Sequence, residues 1–320
     1  MKFLYSSLSL ACALSSLPGA LGATYKRTDN IVGNGFYDAF EFQAIKDPTH
    51  GRVNYVDQAT ARAQNLSFAS ADTFIMRADS SKTLQSNGAG RDSVRIRSKK
   101  TFTTHTAVFD VRHMPQGCGT WPAIWETKED TWPVDGEIDI LEGANDQGPN
   151  EVTMHTGHNC KVPKSRNMTG VPNQLNCDDT KDDNGGCDVD FAENDSYGLP
   201  FNKNGGGWYA MERNNDFIKV WYWARNNPSV PREVSSGASS INTDGWGQPD
   251  ALFPSSDQCK IGDHFGQNNI IINLTFCGDW AGETFKDAGC GSGKCEDFVN
   301  NNPGAFKDAY FELAAVRVYQ

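Results

Sequence analysis

Three carboxylates interleave with branched aliphatics in the run Glu137-Ile138-Asp139-Ile140-Leu141-Glu142, which sits between Trp-Pro-Val-Asp-Gly and Gly143. Aliphatics of high β-propensity predict a strand here. Side chains on a strand alternate faces, so Glu137 and Asp139 share one side and Ile138 and Ile140 the other. Strict alternation would send Glu142 to the apolar side, where a lone glutamate is costly. One extra residue near Ile140 and Leu141, forming a β-bulge, re-aims Glu142 to the face of the other two acids.

Three acids on one strand face are poor for stability. Like charges repel and raise one another's pKa, and the run contains no cation to compensate. The same arrangement suits breaking a glycosidic bond, which needs one ionised carboxylate and one protonated carboxyl flanking the scissile oxygen. A retaining enzyme places these carboxyls roughly 5–5.5 Å apart and an inverting one roughly 6.5–9.5 Å. Four steps along a flat strand span roughly 13 Å, so the expectation is a bent sheet with the acids in its hollow. The alternative is an exposed strand whose carboxylates are merely solvated. Nearby Trp121, Trp125 and Trp132 weigh against it, because aromatic faces beside acids suit a pyranose ring.

The run resembles the signature of glycoside hydrolase family 16, Glu-x-Asp-x-x-Glu, in the bulged form seen in laminarinases. Asp47 to Val56, Ser93 to Ser98, Met114 to Ala123, Gly206 to Arg213 and Ile272 to Gly282 are similar to the same regions of secreted fungal laminarinases. The resemblance spans nearly the whole chain beyond its N-terminal leader. It implies an all-β jelly-roll sandwich of two curved antiparallel sheets with a cleft on the concave face. Position by position, it implies Glu137 as nucleophile, Glu142 as acid/base, and Asp139 between them, bonded to Glu137. The implied activity is endo-hydrolysis of β-1,3 bonds, and of β-1,4 bonds next to a 3-linked glucose, with retention and no cofactor; some relatives carry a structural calcium on the outer sheet, but the sequence offers no recognisable metal ligands for one. The partner is a β-glucan polysaccharide. Two rivals stay in view: a β-glucan transglycosylase, and a non-catalytic β-glucan recognition protein. The latter kind lacks the two glutamates that this chain has.

Further residues are candidates for the substrate side. Trp125 and Trp132 are expected as sugar-stacking platforms, with Trp121 on the approach strand. Trp121, Ala123 and Trp125 share a face by the period-two rule. Core packing is the alternative for each, and the expectation for Trp208, Trp221 and Trp223. Trp280, in Cys277-Gly-Asp-Trp-Ala-Gly282, is placed on a cleft-edge loop. His155, in the strand-like run after the signature, is expected to bond Glu142 or the leaving sugar, unless it is a plain surface histidine. Arg95 has a cleft-facing counterpart in laminarinases; a salt bridge is the other reading.

Short β-rich runs recur along the chain, among them Thr73–Arg77, Thr104–Val111, Val152–Thr156, Trp208–Arg213, Phe217–Trp223, Ile270–Phe276 and Phe311–Tyr319. Turns rich in Gly, Asn, Asp and Pro separate them, as in a sandwich. Segment 160–206 lacks an apolar core of its own and reads as a surface excursion pinned by disulfides. Its acidic run, Asp178 to Asp195, lacks the spacing of a calcium loop and is expected to be solvated.

Residues 1–22 read as a secretory signal peptide, with Ala20 and Gly22 at the −3 and −1 positions of a cut before Ala23. That leaves 23–320 as a single catalytic β-sandwich domain, exported and extracellular. The C-terminal run reads as a strand, without a lipid-anchor tail. Apart from Cys12, eight cysteines remain, enough for up to four disulfides. Their connectivity is open; proximity alone suggests Cys177 with Cys187 and Cys290 with Cys295. Sequons at Asn65, Asn167 and Asn194 are glycan candidates, whereas Asn273, inside a β-run, is expected to stay bare. A net charge of −11 disfavours nucleic acid and anionic membrane as partners and suits a neutral polysaccharide. A monomer is expected.

Overall fold

The computed structural model describes residues 24–180 and 185–320. The signal peptide assigned to residues 1–22, and residue 23 where the expected domain begins, lie outside them.

Alternating burial turns the β-rich runs into two facing antiparallel sheets, a jelly-roll sandwich. One sheet has eight strands, in the order Val171–Pro172, Cys187–Asp190, Glu151–His155, Glu137–Glu142, Thr120–Thr127, Asn269–Phe276, Arg95–Ser98 and Phe40–Phe42. The other has nine, with Tyr310–Tyr319, His105–His113, Gly207–Arg213 and Phe217–Ala224 at its centre. Ile124, Ile138, Ile140 and Leu141 from the first meet Phe109, Val111, Met211, Val220, Phe311 and Leu313 from the second in one continuous core. Helices are short, and none among the described residues is long and apolar enough to cross a membrane.

A second cluster lies on the outer face of the nine-stranded sheet. Segment 232–246 folds over Val108, Trp208, Trp221 and Trp223, adding Val234, Ile241 and Trp246. These three sheet tryptophans are core residues, as their β-rich setting predicts.

Segment 160–206 departs from the expectation of a pure surface excursion. Cys187–Asp190 pairs with Glu151–His155 and so extends the eight-stranded sheet. Val162, Val189, Phe191, Tyr197 and Phe201 join the main core. The apolar residues are few and far apart, so average composition hides them; their burial depends on partners supplied by other strands.

Among the described residues four disulfides close the fold: Cys118–Cys290, Cys160–Cys259, Cys177–Cys187 and Cys277–Cys295. Cys177–Cys187 agrees with proximity. The expected Cys290–Cys295 pair is wrong. Cys295 opens the short Cys295–Asn301 helix and is buried against Cys277 in a satellite cluster with Phe276, Phe285, Val299 and Phe306. Cys290 is instead tied to Cys118, ahead of the Thr120–Thr127 strand. Tertiary packing brings distant cysteines closer than sequence neighbours.

Candidate active site

The signature strand carries the expected bulge. Against Thr120–Thr127, Asp139 faces Trp125 but Leu141 already faces Ile124, so one residue is extra. Against Glu151–His155, the register likewise slips between Asp139 and Glu142. Ile140 and Leu141 both turn into the core and are fully buried there. Strict alternation would lift Leu141 out, forfeiting roughly 1.5–3 kcal/mol of burial, and would place a carboxyl among aliphatics. The core therefore enforces the bulge, and Glu137, Asp139 and Glu142 share one cleft of about 920 Å³ on the outer face of the eight-stranded sheet.

Arg95, Trp121, Trp125, Trp132, His155 and Trp280 all line the same cleft. Trp121 Nε1 donates to Glu142 Oε1 across 2.7 Å, and its ring meets Trp280 edge-on with centroids 5.7 Å apart. Trp125 Nε1 donates to Asn273 Oδ1 across 2.7 Å, and the Arg95 guanidinium lies 4.9 Å over the Trp125 ring. Arg95 also pairs with Glu129 at 2.6 Å and donates to Gln43, so its two readings hold together: it is a salt-bridged wall of the cleft. Trp132 is 46% exposed.

His155 departs from the expected contact with Glu142. It stands opposite Glu137 in the ladder, whereas Glu142 lies at the other end of the strand opposite Glu151. Its Nε2 is 3.4 Å from Asp139 Oδ2 and 3.8 Å from Glu137 Oε1, and its Nδ1 is 3.3 Å from Asp179 Oδ2. The register brings it to the Glu137 end, not to Glu142.

The two glutamates have unlike surroundings. Burial, then the charge of Asp139, pushes the Glu137 carboxyl up to about 8, while His155, Trp132 and Arg95 pull it back. Burial and Asp139 also raise Glu142, well above the usual carboxyl range, and Glu137 and Glu151 add to this. The Trp121 indole alone opposes them among its leading influences. Burial disfavours charge on the His155 imidazole, but the Asp139 and Asp179 carboxylates at 3.4 and 3.3 Å and the charge of Glu137 overcome it, and its pKa rises. Glu137 thus has a cation beside it and Glu142 a neutral dipole. As protons leave this coupled set, the Glu137 end is favoured to ionise first.

Several cleft residues escaped sequence reasoning, Glu151 and Asp179 among them. Glu151, pushed up to about 7 by burial and then by Asp188 and Asp190, lines the cleft with Thr153 and His155. Period-two alternation back from His155 would have found it. Asp179 belongs to the acidic run expected to be solvated, yet it reaches the His155 imidazole. Only tertiary structure makes that contact. Asn273 is buried, with its amide committed to Trp125 and Tyr55, which leaves no room for a glycan; Asn65, Asn167 and Asn194 are exposed.

Comparison with known proteins places this geometry in context. A family model described as XgeA-like, catalytic GH16 domain matches residues 40–319. A solved structure of laminarinase 16A from Phanerochaete chrysosporium, with 6-O-glucosyl-laminaritriose in donor and acceptor sites, is 62% identical with a TM-score of 0.91. That match covers 93% of this chain and 100% of the other. An elongating family 16 β-1,3-glucosyltransferase is 36% identical with a TM-score of 0.86, covering 92% and 100% of the two chains. A probable glycosidase of Schizosaccharomyces pombe is 41% identical over 95% of this chain and 71% of its own length. The chain spans about half the length of most of the other curated relatives it matches. On the family match across most of its residues and the identity to these relatives, the chain belongs to glycoside hydrolase family 16.

Proposed function

We propose that this chain is an extracellular endo-β-glucanase that hydrolyses β-1,3 bonds in laminarin-type glucans, and β-1,4 bonds next to a 3-linked glucose, with retention of configuration. The observation that carries this reading is the bulge, which sets Glu142 on the face of Glu137 while the two keep different charge surroundings. Laminarinase 16A supports the choice of glucan, and four disulfides suit an oxidising compartment.

Glu137, ionised beside His155, attacks the anomeric carbon as the bond to the leaving oxygen breaks. Glu142 gives its proton to that oxygen, leaving a glycosyl ester on Glu137 and a carboxylate at Glu142. Water then attacks the same carbon, its proton passes to Glu142, and Glu137 is released ionised. Asp139, between the two and 3.4 Å from His155, helps to hold the charges in place. Trp125, Trp132, Trp121 and Trp280 supply stacking faces, and Arg95 a cation at the wall. Asn65, Asn167 and Asn194 are the exposed acceptors for glycan.

Glu142→Ala tests the roles. Activity on polymer falls, and turnover of an activated aryl glucoside returns with azide as a β-linked glycosyl azide. An α-linked azide would exchange the two roles. A second reading, transfer to another sugar, draws on the likeness to the glucosyltransferase. Laminarin digestion separates them: reducing ends rising one per cut mean hydrolysis, and lengthened oligosaccharides mean transfer.

A further inference from the structure

The bulge that turns Glu142 into the cleft has a backbone consequence. An extra residue takes peptide groups out of ladder register, and buried peptide groups need partners. Here the groups are the Ile140 carbonyl and the Glu142 N–H, and one side chain meets both. Asn150 Nδ2 donates to the Ile140 carbonyl across 3.1 Å, and Asn150 Oδ1 accepts from the Glu142 N–H across 3.0 Å. Only one orientation of the carboxamide satisfies both contacts. Asn150 stands just before the Glu151–His155 strand, so its side chain serves as a peptide group in the rung where main-chain pairing slips.

Asn150 is itself held firmly. It is fully buried, its N–H donates to Ser196 Oγ across 3.0 Å, and its carbonyl accepts from the Phe191 N–H across 2.9 Å. Ser196 is fully buried as well. The clamp therefore does not depend on solvent, and it grips the backbone of the residue whose carboxyl must meet the scissile oxygen.

We propose that Asn150 is the positioning residue for Glu142: its carboxamide fixes the bulge and thereby sets where the acid/base carboxyl stands. This rests on the reading of Glu142 as acid/base. Alanine removes donor and acceptor together. Glutamine keeps both but carries them one methylene further, in a site with no spare room. Either change frees the Glu142 backbone while leaving Glu137, on the other side of the bulge, in its regular register opposite His155.

The test compares Asn150→Ala and Asn150→Gln with the unaltered enzyme on laminarin and on dinitrophenyl β-laminaribioside with azide. Dinitrophenolate leaves without a proton and azide needs no base, so the second substrate bypasses Glu142. A deoxyfluoro dinitrophenyl glycoside, which esterifies Glu137, counts folded sites, so a partly unfolded variant still yields a rate per site. Per labelled site, kcat on laminarin falls roughly tenfold to a hundredfold, while KM and the rate on the activated substrate stay within about twofold. Equal losses on both substrates, or an unchanged kcat on laminarin, would overturn the proposal. Failure of the label to reach Glu137 in the unaltered enzyme would instead overturn the assignment of roles, and the proposal with it.

Discussion

Trp121 Nε1 donates a 2.7 Å hydrogen bond to Glu142 Oε1, so the carboxyl assigned as acid/base is held by a neutral donor, without a formal cation. That bond favours the ionised carboxyl, against burial and the neighbouring acids that raise it. Trp121→Phe keeps a ring in place and deletes the donor. The Glu142 carboxyl then rises further, and the alkaline limb of kcat/KM moves to higher pH by about one pH unit. A pH profile on an aryl β-laminaribioside measures this; a limb that stays put or moves down would remove Trp121 from control of the acid.

Glu142→Gln should stabilise the protein at neutral pH. A carboxyl whose folded pKa lies above its usual 4.5 makes the folded state hold a proton that the unfolded chain gives up. Its favourable contribution is full below about pH 4.5 and declines as pH rises toward the folded pKa. Glutamine does not titrate. The expected gain is about 1–3 kcal/mol at pH 7, or a few degrees in Tm, vanishing near pH 4. Calorimetry at the two pH values decides it, and an equal effect at both would point to packing.

Trp132 stands apart from the other cleft aromatics by its exposure, 46%. Trp132 belongs to none of the core clusters, so Trp132→Ala should lower stability by no more than about 1–2 kcal/mol. The loss should appear as a rise in KM or a fall in kcat on laminarin, together about tenfold in kcat/KM. A large drop in Tm would make this ring a core residue instead.

The bulge and the common face of the three acids were legible because both follow from local alternation and the cost of burying a carboxyl among Ile138, Ile140 and Leu141, whereas Trp132 and Trp280 lie in turns that alternation does not reach. The same alternation placed Trp121 and Trp125 on one face. It could not say that Arg95 would serve both as a cleft wall and as the partner of Glu129, because Glu129 comes from a turn 34 residues away. The Thr24–Ile31 strand was illegible for another reason. It is polar along its length and pairs at the sheet margin, so no apolar pattern marks it. Cys118–Cys290 and Asp179 with His155 are long-range contacts, and no spacing rule reaches them.

Loss of the His155 imidazole should weaken both stability and catalysis most at acid pH, through two different groups. That imidazole is raised above the usual value despite burial, because Asp139, Asp179 and Glu137 surround it. A raised histidine stabilises the fold fully below its unfolded pKa, roughly 6.5, and loses that contribution as pH climbs through the folded value. His155→Gln should therefore lower stability most at pH 5, by about 1–3 kcal/mol, with a shrinking deficit at alkaline pH. Catalysis responds at the other group. The imidazolium pulls down the Glu137 carboxyl, which stands at about 8, so losing it makes that carboxylate harder to form. The acid limb of kcat/KM moves to higher pH, and the activity deficit at pH 5 exceeds that at pH 8. Thermal melts and pH–rate profiles on one variant separate the effects. A deficit in kcat/KM independent of pH would mean that His155 touches the sugar rather than sustaining the charge on Glu137.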